Sequence, residues 1–183
     1  PSPWAGVGPN QDGSGVVAPV GPGVEHLHGG DRVWLALAAY QRAGGGTAQE
    51  FAVLPAERVF PLPENAGFDL GASLGVPAIT AHRALTIAED GPRRLHPGAL
   101  DGKVVLVAVG AGAVGHAAIQ LAKWAGAVVI TTVSGPAKAA LVTAAGADHV
   151  INYRETHAAE EIRRIAPNGV DQIVEVAPAQ NAE

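Results

Sequence analysis

The feature that most narrows the fold is Gly110-Ala-Gly-Ala-Val-Gly115, set between two segments of opposite character. Ahead of it runs Lys103-Val-Val-Leu-Val-Ala-Val109, a continuous apolar stretch of the kind a strand needs when both its faces are buried. Behind it, from Ala113 to Trp124, Val114, Ala117, Ala118, Leu121 and Ala122 keep helical spacing. Glycine is abundant, 24 of 183 residues, so the pattern alone is weak. Strand, G-x-G-x-x-G and helix in succession form the context in which such a loop cradles a pyrophosphate. Gly110 is expected to permit the tight turn, Gly112 to let backbone approach the phosphates, and Gly115 to let the helix pack against the strand. N–H groups at the helix start would face the anion, assisted by the helix dipole. A tight turn with no ligand is the alternative.

The alternation continues. Val128 to Val133 reads as a strand, Lys138 to Ala145 as a helix ended by Gly146, and Val150-Ile151 as a short strand. Thr156 to Ile165 reads as a charged helix and Asp171 to Val176 as a fourth strand. That order predicts a parallel, doubly wound sheet, rather more than half of a full dinucleotide-binding one. Before it, residues 89–102 read as a loop. Asp69 is expected to cap a helix carrying Leu70, Leu74, Ile79, Ala81 and Leu85, kinked at Pro77. The first part is rich in Gly and Pro. Its apolar runs, Ser14 to Val20, Asp31 to Leu37, Thr47 to Leu54 and Arg58 to Leu62, suggest a small antiparallel barrel. Two domains are expected, residues 1–68 and 69–183.

The end of the second strand of the alternation sets ribose recognition. A free 2′-OH is normally held by an acid about 20 residues after the glycines. Here Thr131-Thr-Val-Ser-Gly135 has none, and no acidic residue occurs from Gly102 to Ala147. Ser134 as hydrogen-bond donor and Lys138 as charge suit a 2′-phosphate, so the cofactor expected is NADP(H). Taken alone, Lys138 reads equally well as a solvated lysine at a helix start. The missing acid also argues against a methyltransferase, whose similar sheet usually holds a ribose diol that way.

Composition closes other routes. Twelve basic residues against 17 acidic ones give a net charge of −5, which suits no nucleic-acid partner. No apolar run approaches the ~20 residues that span a bilayer, and no signal-type leader opens the chain. Without cysteine there is no disulfide, thiolate nucleophile or Cys-ligated metal. His26, His28, His96, His116, His149 and His157 show no ligand spacing, and His82 reads as structural. A soluble, cytoplasmic protein is expected.

With these residues in view, the chain resembles the medium-chain dehydrogenase/reductase superfamily, on its zinc-free quinone oxidoreductase (zeta-crystallin-like) branch. Asp12-Gly-Ser-Gly-Val-Val17, Gly30-Asp-Arg-Val-Trp34 and Gly46-Thr-Ala-Gln-Glu-Phe51 look like its catalytic domain. Gly75-Val-Pro-Ala-Ile-Thr-Ala81 looks like its crossover helix. Gly110 to Lys123, Gly146 to Arg154 and Gly169-Val-Asp171 look like its cofactor half. The resemblance implies an α/β fold, a partial doubly wound parallel (Rossmann) sheet preceded by a partial GroES-like β-barrel domain. It places Thr80 against the cofactor and gives the pyrophosphate the backbone of Ala113 and Val114. Ser134, Lys138 and Tyr153 would surround the 2′-phosphate. Without the family, Tyr153 reads as a half-buried ring and Thr80 as a helix residue bonding its own turn.

Zinc-dependent relatives carry Gly-His-Glu where Asn10-Gln11-Asp12 stands, and their helix cysteine falls near Val76. Gln11 and Val76 supply neither ligand, and the four-Cys lobe is absent. The family has further chain before Pro1 and beyond Val176, including the usual homodimer edge, so both ends read as cut and the activity of these residues alone is in question. The expected function is NADPH-dependent hydride transfer to a small quinone-like conjugated acceptor in an interdomain cleft, with no general acid evident. The alternatives are an NADPH-dependent enone or enoyl thioester reductase and a nucleotide-binding module without turnover.

Overall fold

The computed structural model describes residues 9–40 and 45–181. The chain forms two compact units, divided between Ile79 and Thr80 inside a helix. The expected domain boundary at 68/69 marks where sequence character changes, whereas this division follows packing.

The first unit holds a three-stranded antiparallel sheet of β1 (Gly13–Val16), β2 (Arg32–Leu35) and β3 (Val59–Pro61), in the order β1-β2-β3. Trp34 stands opposite Phe60 in the register, and their rings stack with centroids 4.5 Å apart. The Arg32 guanidinium donates to the carbonyls of Pro63, Glu64 and Ala66 and lies 4.6 Å from the Phe68 ring centre. It thus fastens the turn that opens α1 (Phe68–Thr86).

The expected strand at Thr47–Leu54 is not one. The Thr47 and Ala48 N–H groups both donate to the Pro9 carbonyl, and Phe51 and Val53 are 72% and 82% exposed. Its alternating pattern suits a strand, but among the described residues no ladder partner lies beside it.

Helix α1 also departs from expectation. Asp69 lies within its first turn rather than ahead of it, and the break falls at Gly75 (φ −35°, ψ −105°), not at Pro77. The break frees the Val76 N–H, which donates to Asp12 Oδ1 at 2.8 Å. Pro77 therefore sits in the first turn of the helix's second segment, where a missing N–H costs nothing. A Cβ on Gly75 would lie 2.0 Å from Asp12 Oδ1, so glycine makes room for that cap. Burial pushes the Asp12 carboxyl above its ordinary range, partly offset by the Val76 N–H.

The second unit is built on β4 (Val104–Val107), α2 (Ala113–Trp124), β5 (Val128–Val133), α3 (Pro136–Ala144), β6 (His149–Asn152), α4 (Ala158–Ile165), β7 (Gln172–Val174) and α5 (Pro178–Asn181). Its four strands are parallel in the order β6-β5-β4-β7. The order reverses at β4, so the crevice beyond the carboxyl ends of β4 and β7 is a topological switch point. Val105, Val107, Val129 and Val133 pack with Ala118, Ile119 and Ala122 of α2, with Val142 of α3 and with Ala81 and Leu85 of α1. Leu106, Ile130 and Ile151 pack separately with Ala166, Ile162 and Ile165. Side chains of β4, β5 and β6 thus go alternately to two apolar layers, as their apolar runs require, whereas on β7 Val174 is buried and Ile173 is exposed. Gly146 (φ +105°) closes α3 in the left-handed conformation that its sequence position suggests.

Two aspartates pin the amino ends of the strands. Asp148 accepts hydrogen bonds from Val129 N (2.7 Å) and Lys123 Nζ (2.9 Å), and Asp171 from Val104 N (2.8 Å) and Lys103 Nζ (2.9 Å). Each stands just before its own strand and holds the start of the neighbouring one.

Candidate functional site

The glycine loop lies at the switch point. The N–H of Gly112, which caps α2, donates to the Val109 carbonyl at 2.9 Å. A Cβ on Gly115 would lie 2.6 Å from that same oxygen, which explains the glycine at the first turn of α2 as a close approach of helix to loop. Gly110 has a different reason from the one expected. The residue in the left-handed conformation is Val109 (φ +53°), not Gly110. A Cβ on Gly110 would lie 2.0 Å from Thr131 Oγ1 and 2.8 Å from Ile119 Cδ1, so its glycine is required by crowding between β5 and α2. Gly112 is less confined, with Val109 O 3.3 Å from a Cβ placed there.

Among the described residues, no hydrogen bond engages the N–H groups of Ala113, Val114 or Gly115, and α2 has no side-chain cap. Its first turn contains no acidic residue. Three unpartnered donors at the positive end of a twelve-residue helix can receive an anionic oxygen.

Beside the loop, β5 contributes two threonines that sequence reasoning passed over as strand residues. Thr131, fully buried, donates its hydroxyl to Val107 O at 2.7 Å. Thr132 Oγ1 accepts the Val109 N–H at 3.1 Å, and its carbonyl accepts the Gly110 N–H at 3.2 Å. Their signal is two consecutive hydroxyls in an otherwise apolar run.

At the carboxyl end of β5, Lys138 Nζ donates to Ser134 Oγ at 3.0 Å, an i to i+4 pair at the loop-to-α3 junction. The serine hydroxyl accepts from the lysine and keeps its own proton to donate. Tyr153, 47% exposed, follows β6, and its N–H donates to the Val133 carbonyl at 3.1 Å. The structure thus brings Ser134, Lys138 and Tyr153 to the carboxyl ends of adjacent strands. Thr80 is exposed on α1, next to the buried Ala81. A cavity of about 560 Å³ in the first unit, lined by Val16, Val33 and Leu54 among others, includes none of these residues.

The positions that matter to zinc are otherwise engaged. Gln11 Oε1 accepts the Ala39 N–H at 3.1 Å, and Val76 presents its backbone N–H to Asp12. An amide oxygen already bonded and an aliphatic side chain make no ligand set for that ion.

An antiparallel sheet followed by a parallel one, with a glycine loop at the switch point, is the build of a two-part dehydrogenase. Residues 2–64 match the family model of the alcohol dehydrogenase GroES-like domain, and residues 113–182 that of the zinc-binding dehydrogenase. The chain belongs to the medium-chain dehydrogenase/reductase superfamily. It is 35% identical over 174 residues to the quinone oxidoreductase of Rattus norvegicus, covering 94% of this chain and 49% of that protein. The crystal structure of Escherichia coli quinone oxidoreductase complexed with NADPH superposes with a TM-score of 0.73 at 32% identity, covering 91% of this chain and 47% of that one. The CurK enoyl reductase structure gives 0.73 at 30% identity, covering 90% and 46%. The chain spans about half the length of the relatives it matches. No helix among the described residues is long and apolar enough to cross a membrane.

Proposed function

We propose that this chain holds NADPH in preference to NADH and forms part of a zinc-independent oxidoreductase acting on quinone-like conjugated acceptors. The observation that carries the reading is the Ser134–Lys138 pair, 3.0 Å apart at the carboxyl end of β5, in a stretch without any carboxylate from Gly102 to Ala147. A phosphate on the adenosine 2′ position meets a positive charge and two hydroxyl donors there, Ser134 and Tyr153. A free 2′-OH finds no acceptor carboxylate.

The free N–H groups of Ala113, Val114 and Gly115 receive the pyrophosphate, and Gly110 and Gly112 keep side chains out of its path. Thr80 lies against the cofactor from α1. When bound, the nicotinamide supplies a hydride to a conjugated carbonyl acceptor. The protein's part is to orient the ring and exclude water, which needs no protein nucleophile. The likeness to the quinone oxidoreductases favours a quinone as acceptor. The enoyl reductase of similar fold supports an enone or enoyl thioester as the second reading. Oxidation of NADPH with each acceptor separates the two, and binding without turnover identifies a nucleotide-binding module.

Titration of both cofactors against wild type and Lys138→Ala tests the cofactor assignment. Charge-assisted bonds of roughly 1.5–3 kcal/mol each, reduced by exposure, give a preference for NADPH on the order of tenfold to a hundredfold. Lys138→Ala should weaken NADPH while hardly changing NADH, and added salt should narrow the gap by screening an exposed phosphate contact. Equal affinities in the wild type, or a variant that loses both cofactors alike, would overturn it.

A further inference from the structure

We propose that Thr132 is a positioning residue for the dinucleotide, acting through the backbone of Val109. The proposal rests on the NADP(H) reading above and adds what holds the glycine loop in its binding shape. Val109 has φ +53°, a conformation that a β-branched residue adopts only against steric resistance. Val109 is 36% exposed, so burial does not account for its place. Three hydrogen bonds fix it and its neighbour instead. Its N–H donates to Thr132 Oγ1, its carbonyl accepts from Gly112 N, and the adjacent Gly110 N–H donates to the Thr132 carbonyl.

Only the first of these bonds depends on a side chain. Without the Thr132 hydroxyl, Val109 is free to relax toward negative φ, and its carbonyl swings away from Gly112. That carbonyl packs against Gly115, the close point between loop and helix. Relaxation therefore displaces the start of α2, where the free N–H groups of Ala113, Val114 and Gly115 lie. Thr132 touches no part of the cofactor; it acts by keeping a strained residue in the one shape that presents those donors. A glycine at 109 adopts the same φ without resistance and removes the need for the hydroxyl.

The test is a titration of the purified 183-residue chain and its variants with two probes: NADPH, and adenosine 2′-phosphate, which carries no 5′-phosphate to meet the start of α2. Thr132→Val should weaken NADPH about tenfold, the scale of one lost hydrogen bond, while adenosine 2′-phosphate changes by less than about twofold. Thr132→Ser should restore NADPH affinity, and so should Val109→Gly added to Thr132→Val. Amide exchange at Val109 without ligand should quicken in Thr132→Val alone, a readout independent of any cofactor. Three results would each overturn the latch: wild-type affinity in a folded Thr132→Val, a Thr132→Ser as weak as the valine variant, or no rescue by Val109→Gly. A wild type that binds neither probe overturns the NADP(H) reading itself, and with it any cofactor role for Thr132; Val109 exchange then still reports whether the hydroxyl holds the turn.

Discussion

Gly115 stands where a side chain has no space. A Cβ there would lie 2.6 Å from the Val109 oxygen and 2.8 Å from the Gly110 Cα, both backbone atoms, so no rotamer change can relieve the clash. Gly115→Ala should therefore lower stability by about 1–3 kcal/mol, the usual cost of overpacking, whereas Gly15→Ala on β1, with nothing within 4 Å, should stay within about 0.5 kcal/mol. Chemical denaturation of both variants checks this, and similar losses at the two sites would contradict it. The spacing of the motif was enough to read Gly115. It could not reveal that Val109 takes the left-handed turn, because the motif shows which positions lack a Cβ and not which backbone angle is strained. Nor could it show Thr132, whose role depends on a neighbouring strand.

At the scale of elements, Asp148 and Asp171 make the sheet sensitive to acid. For Asp148, burial pushes the carboxyl up, but the Val129 N–H and Lys123 together outweigh it and hold it below its ordinary 3.8. For Asp171, the Val104 N–H and then Lys103 hold it below the same value. In both, the ionised form is the one the fold favours. Their contribution is therefore present above the unfolded value and lost as pH falls through the lower folded one. Asp148→Asn and Asp171→Asn should be less stable than wild type at neutral pH, and the difference should vanish in acid below those folded values. Thermal melts across that range test the sign; a gap that widened in acid would refute it. Helix α2 and strand β5 have the limits that hydrophobic period suggests, because their pattern and their burial have one cause. Thr47–Leu54 shows the converse, since alternation signals strand character without supplying a partner. The break in α1 was misplaced for a related reason: proline is visible in sequence, whereas the aspartate that caps the helix beyond Gly75 comes from sixty-four residues away.

At the scale of the molecule, the two units differ in how much they bury. The large apolar cluster belongs wholly to the second, beginning at Ala81. The first buries mainly Leu27, Val33, Ala36, Ala38 and Leu62 around a three-stranded sheet. Small sheets with little apolar cover open at lower cost. Amides of Val105, Val107, Val129 and Ile130 should thus exchange most slowly, and those of β1 to β3 through cheaper local opening. Hydrogen exchange read residue by residue would disprove this if β2 proved as protected as β4. The doubly wound half was legible because its central strands β4 and β5 are buried on both faces and read as apolar runs. The antiparallel half was less so, its short strands being half-exposed and broken by glycine and proline.

The two strand-starting aspartates also imply an order of events during folding. Asp148 reaches a partner nineteen residues away, Asp171 one sixty-seven residues away. Closing the longer loop costs about 1 kcal/mol more in chain entropy, so β6 reaches β5 more readily than β7 reaches β4. A strand that arrives late docks onto a surface already formed, where sliding by one residue would turn its apolar side chains to the wrong face. The bond from Asp171 to Val104, backed by Lys103, is satisfied in one alignment alone. It serves as a stop that the last-arriving strand meets when it has gone neither too far nor too short.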